Sequence, residues 1–128
     1  MMEPLIITGT DEIPTVILDK EKNLFEISGQ SIPEEAISFY SPVIDWFEEY
    51  SQNPNSKTIL NLQLEYCNSS SSKAIVDILE ILEEMNQKGN QVEVVWHYME
   101  DDDDMLDMGK EFQEIINVPF TFIAIKPE

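Results

Sequence analysis

The sequence has one cysteine, one histidine, four glycines and only 7 basic residues against 26 acidic ones in a chain of 128. Each shortage excludes something. With Cys67 alone no intrachain disulfide can form, and a reducing cytoplasm is the expected setting. The glycines stand singly at 9, 29, 89 and 109, so there is no glycine-rich phosphate loop. Neither CxxC nor GxSxG occurs. No run approaches the roughly 18–20 apolar residues of a membrane span. The opening MMEPLIITGTDEIP has neither the basic region nor the long apolar run of a signal peptide. A net charge of −19 opposes binding to nucleic-acid phosphates and to anionic membranes alike. What remains is a protein partner, one with a basic patch.

Apolar residues make up 42% of the chain, enough for a packed core, and the length suits one domain over 1–128. LII (5–7), TVILD (15–19) and LFEIS (24–28) read as strands, with KEKN as a hairpin connector and Gly29 closing the third. SIPEE (31–35) has the form of a capping box, Ser31 three residues before Glu34, with Pro33 in the first turn. Pro42 should interrupt a helix begun there, which puts the main helix over 42–52. TILNLQL (58–64) alternates as a strand. Ala74, Ile75, Ile78, Leu79, Leu82 and Met85 then recur at helical spacing until KGN (88–90). VEVVWHY (92–98), a helix over about 104–116 and FTFIAI (120–125) complete the order β-β-β-α-β-α-β-α-β. The fold class is therefore α/β: a mixed sheet with an N-terminal hairpin and helices packed on it.

Few residues offer chemistry. His97 lies inside the most strand-like segment, where a lone histidine reads as a core or surface residue. Cys67 has no neighbour in sequence to lower its pKa, and Glu65 would raise it. The run EDDDDM (100–105) lacks the alternating ligands and the glycine of a calcium loop. Aspartates at a helix start serve as caps and favour the dipole. The four serines, Ser69 to Ser72, exceed what one cap requires. Their spare hydroxyls are either loop hydrogen-bonders or a phosphorylation site. A phosphoryl group there would meet free helix amides and Lys73, and would add about −1.5 to −2 charge. Both runs follow strands, so the fold should gather them on one rim.

Three blocks in register, GQSIPEEAISFYSPVIDWFEEY, LEYCNSSSSKAIVDILEILEEM and VEVVWHYMEDDDDMLDMGKEF, resemble the SiaC-type family of bacterial regulatory phosphoproteins over about residues 4–125. The resemblance implies a STAS-like sandwich and a non-catalytic switch in a partner-switching circuit, without cofactor or metal. It implies a kinase related to the anti-sigma-factor kinases, a metal-dependent Ser/Thr phosphatase, and an effector such as a diguanylate cyclase that the unphosphorylated form activates. The family's acceptor follows the asparagine that closes the strand, which here is Asn68 followed by Ser69, with Ser70 and Ser71 as alternatives. Serine replaces the expected threonine, and Cys67 stands where an aromatic or aliphatic residue is expected.

The partner surface is expected to comprise Asn68, Ser70, Ser71, Ser72 and Lys73 together with Asp101, Asp102, Asp103 and Asp104. Two other readings stay open. One is an acidic decoy that inhibits a basic, nucleic-acid-binding partner. The other is a metal-dependent enzyme or calcium sensor built on Asp101 to Asp104.

Overall fold

The computed structural model describes residues 2–126. Six strands form one sheet in the order β1-β2-β3-β4-β5-β6, the order of the chain itself. They are β1 (Leu5–Ile7), β2 (Thr15–Asp19), β3 (Leu24–Ser31), β4 (Lys57–Cys67), β5 (Gln91–Met99) and β6 (Phe120–Ile125). The helices are α1 (Ala36–Tyr50), α2 (Ser69–Gln87) and α3 (Asp103–Ile115). The β1–β2 and β2–β3 pairs are antiparallel, whereas β3 to β6 run parallel, joined by the three helices. The element order matches the reading of the sequence.

Topology decides which sheet face is covered. Strand–helix–strand connections are right-handed, so three successive ones stepping the same way lay all three helices on one face. Burial alternates accordingly. Phe25, Ile27, Leu60, Leu62, Val94 and Trp96 are buried beneath the helices. Glu26, Ser28, Asn61, Gln63 and His97 alternate with them, and none is buried. His97 Nε2 and Asn61 Oδ1 lie 3.2 Å apart on that open face.

Three expectations are corrected. Gly29 does not end β3. The strand bulges between Gly29 and Gln30, with Gly29 at φ +105°, and then continues to Ser31. Ser31 caps nothing, because its hydroxyl turns inward to bond the Tyr40 phenol. The helix starts later, at Ala36, with no side-chain cap on Glu35. Pro42 does not break α1, which runs through it from 36 to 50. A helical proline costs about 3 kcal/mol. Burying an apolar or aromatic side chain returns about 1.5–3 kcal/mol each, and Tyr40, Val43, Trp46, Phe47 and Tyr50 are all buried. Packing outweighs the proline, and Pro42 itself is exposed, so water reaches the carbonyl it leaves unpaired.

On α3, Gly109 lets the helix approach β5. The Trp96 indole donates to the Met105 carbonyl at 3.0 Å and meets Phe112 edge-on. A Cβ at Gly109 would fall 2.6 Å from Trp96 Nε1. Gly109→Ala should therefore lose about 1–3 kcal/mol through overpacking despite alanine's better helix propensity. A urea midpoint equal to or above that of the wild type would contradict this packing.

Candidate functional site

The serine run begins where β4 stops, and one residue makes the joint. The Asn68 amide donates to the Ser31 carbonyl at 3.1 Å, extending the β3–β4 ladder by one bond. Its backbone is extended, at φ −77° and ψ 172°, and its side-chain oxygen accepts from the Ser71 amide at 2.9 Å. Its own carbonyl accepts the Ser72 amide at 2.9 Å. Asn68 is thus the N-cap of α2, with its side-chain oxygen committed to the helix start.

The four serines then divide. Ser71 is fully buried, and its hydroxyl makes no close hydrogen bond among the described residues, only a weak contact with the Tyr40 phenol. That removes Ser71 both as an alternative acceptor and as a partner contact. The Ser72 hydroxyl turns back to the Asn68 carbonyl at 3.2 Å and approaches Cys67 Sγ at 3.5 Å. Ser69 and Ser70 are exposed. They hold the first two positions of α2, and their amides find no acceptor among the described residues. An anion at this helix start would meet free N–H groups and the positive end of the dipole.

Around them the site is inert. Burial pushes the Cys67 thiol up, only partly opposed by Ser72, so thiolate chemistry is disfavoured. The Tyr40 phenol is pushed up to about 12, chiefly by burial, against the opposing hydrogen bond with Ser31. Beside Ser70, α1 and α2 enclose a 330 Å³ hollow lined by Ile37, Tyr40, Ile44 and Ala74 together with the polar Ser41, Asp45, Lys73 and Asp77. Ile37 is 87% exposed. The sequence reading missed this wall because it began the helix at 42, beyond Ile37 and Tyr40. The apolar spacing of Ile37, Tyr40 and Ile44 was the available signal.

The acidic run sits at the end of β5, beside the end of β4, so the two runs share one rim of the parallel sheet. Asp102 is the N-cap of α3, accepting the Met105 amide at 3.1 Å, and Asp103 and Asp104 occupy the first turn. Asp101, Asp103 and Asp104 are exposed. Among the described residues no group of three or more His, Cys, Asp or Glu side chains is placed to hold a metal ion. No helix of the described residues is long and apolar enough to cross a membrane.

The family description "SiaC family regulatory phosphoprotein" matches residues 7–125. The chain belongs to the SiaC family. A protein of Pseudomonas aeruginosa strain UCBPP-PA14 is 35% identical over 123 residues, covering 96% of this chain and 98% of its own. The solved structure of SiaC from Pseudomonas aeruginosa superposes with a TM-score of 0.89 at 35% identity, covering 97% of this chain and 100% of that one. A second solved structure, of the diguanylate cyclase SiaD in complex with its activator SiaC from the same organism, gives 0.89 at 35% identity over 94% and 99% of the two chains. Membership in the SiaC family makes this chain a regulatory phosphoprotein and not an enzyme.

Two measurements test the local account. Asn68→Ala should lose about 1 kcal/mol with the cap. Ser71→Ala should cost less than that or nothing, since the buried hydroxyl it removes has only a weak contact with the Tyr40 phenol. Equal losses from both, by urea denaturation, would refute that division of roles. For Tyr40 the folded pKa lies above the unfolded value of 10.0. Its contribution to stability is thus complete below pH 10.0 and is lost as pH rises toward about 12. Tyr40→Phe should flatten that alkaline decline, which unfolding curves between those limits would show.

Proposed function

We propose that this chain is a phospho-regulated activator whose switch atom is Ser69 Oγ. In the unphosphorylated form it binds and activates a diguanylate cyclase in the cytoplasm. A kinase of the anti-sigma-factor-kinase type transfers a phosphoryl group to Ser69, and a metal-dependent Ser/Thr phosphatase removes it. The observation that carries this reading is the division of the serine run: Ser71 and Ser72 turn inward, and the exposed hydroxyls are Ser69 and Ser70, beside free helix amides. The full-length likeness to an activator solved with its cyclase supports the choice of effector.

Local physics favours a two-state switch. A phosphate at the helix start is compatible with the fold, because the dipole and the unpaired amides favour it. A partner seated over the same rim would have to strip water from that dianion, and Asp101, Asp103 and Asp104 lie on the rim as further negative charge. Modification therefore acts on the complex and leaves the folded chain intact.

Phosphopeptide mapping of the chain from its own cells should find one phosphate, on Ser69. Ser69→Ala should retain the cyclase, and Ser69→Asp should bind it at least roughly tenfold more weakly, the equivalent of about 1.4 kcal/mol. Equal binding by the two variants would defeat the switch. Binding that ignored Ser69 and collapsed steeply with salt would point to an acidic decoy in its place.

A further inference from the structure

β6 is an edge of the sheet, paired with β5 on one side and with no strand of the described residues on the other. The Val94 amide donates to the Pro119 carbonyl at 2.9 Å, and the Glu100 amide to the Ile125 carbonyl at 2.8 Å. Backbone groups alternate along a strand, so the N–H and C=O groups of Phe120, Phe122 and Ala124 point away from β5. No residue of the strand is buried. α3 packs over β4 and β5, which leaves Phe120 and Phe122 half-buried on the helix side of the sheet. Ile123 is 43% exposed on the open side.

Edge strands are ordinarily kept short, charged, bulged or interrupted by proline, because a row of free backbone groups is a template for another chain. β1, the other edge, has 3 residues. β6 has 6, FTFIAI, with no charge, no proline and an unbroken register on β5. That is the composition of a strand that pairs with its like. It also lies within the longest uncharged run of the chain, the 11 residues 115–125, in a protein of net charge −19. Two copies meeting here do not press carboxylates together, as they would elsewhere on so acidic a surface.

We infer that β6 pairs antiparallel with β6 of a second copy, across a two-fold axis through Phe122, joining two six-stranded sheets into one. Phe122 then faces its own counterpart, and each Phe120 lies opposite an Ala124, a large side chain against a small one. These pairs exchange hydrogen bonds between the outward N–H and C=O groups. On the open face Thr121 meets Ile123, a cross-strand pair of β-branched side chains. The axis stands perpendicular to the sheet, so the two helix layers share one face and the two serine rims point to opposite ends. Both rims stay free, and the inference does not depend on the switch at Ser69. Such a pairing closes on itself, because it consumes this edge in both copies and leaves only the short β1 edges outside.

Sedimentation equilibrium of the full chain tests this, in about 150 mM salt, where surface charge is screened beyond roughly 8 Å. The mass should rise with concentration from 14.8 kDa toward twice that value, and a mass that stays at 14.8 kDa overturns the pairing. Ile123→Lys sets like charges across the axis, and Ala124→Pro removes an outward donor, so each should weaken the dimer roughly tenfold or more. Both sites are exposed, and circular dichroism of both variants should match the wild type. The control Ile6→Lys makes the same charge change on exposed β1 and should leave the dimer as it was. Mild oxidation of Thr121→Cys mixed with Ile123→Cys should link the copies, since opposed Cα atoms about 4.5 Å apart lie within disulfide reach. Either variant alone holds its new thiols on a diagonal of roughly 7–8 Å and should not link. A dimer that survives both β6 variants, an equal loss in Ile6→Lys, or equal linking by a single cysteine variant overturns the inference. Ser69→Asp should dimerise as the wild type does, so its effect on cyclase binding is read separately.

Discussion

Asn68 is held on three sides, and the arrangement of the site follows from that. Its amide completes the ladder to β3, its carbonyl opens the hydrogen bonding of α2, and its side chain satisfies a helix amide. No loop separates strand from helix, so α2 leaves the sheet at a set angle and phase. That phase turns Ser71 into the core and Ser72 back onto the cap, leaving Ser69 and Ser70 outside. A helix start rotated by one residue, 100° around its axis, would put a different serine in water.

The covered face of the sheet imposes a second constraint. Because every parallel connection steps the same way, the helices form one layer, and α1 and α2 lie side by side over β3, β4 and β5. Two adjacent helices leave a valley between them. In this chain the valley begins beside Ser70, where Ile37, Tyr40 and Ile44 share it with Asp45, Lys73 and Asp77, and is lined mainly by carboxylates further on. The exposed serines and the valley beside them are thus consequences of one packing arrangement. The opposite face, with Asn61 and His97 in contact, takes no part in it.

Much of this was legible in the sequence. The alternation in TILNLQL and VEVVWHY gave the strands their positions, because one buried and one open face demand a period of two. The 3.6-residue recurrence from Ala74 to Met85 placed the buried face of α2. The errors were at α1, where Ser31, Gly29 and Pro42 each sent a local signal that packing overrode. Ser31 found a better partner in Tyr40, Gly29 served a bulge, and Pro42 was carried by the aromatic anchors around it. Those local signals concern about 1–3 kcal/mol apiece, less than a row of buried aromatic and aliphatic side chains supplies.

The sequence by itself determined the charge, the class of fold, the order of elements and the family, because composition, periodicity and motif spacing are properties of the chain in one dimension. It also located the serine and acidic runs at helix starts, since capping chemistry is local. Which serine reaches water, which aspartate is committed as a cap, and whether α1 and α2 leave a groove between them were decided only by tertiary structure. Each depends on the rotation of a helix about its axis, and that rotation is set by side chains distant in sequence that must share one core.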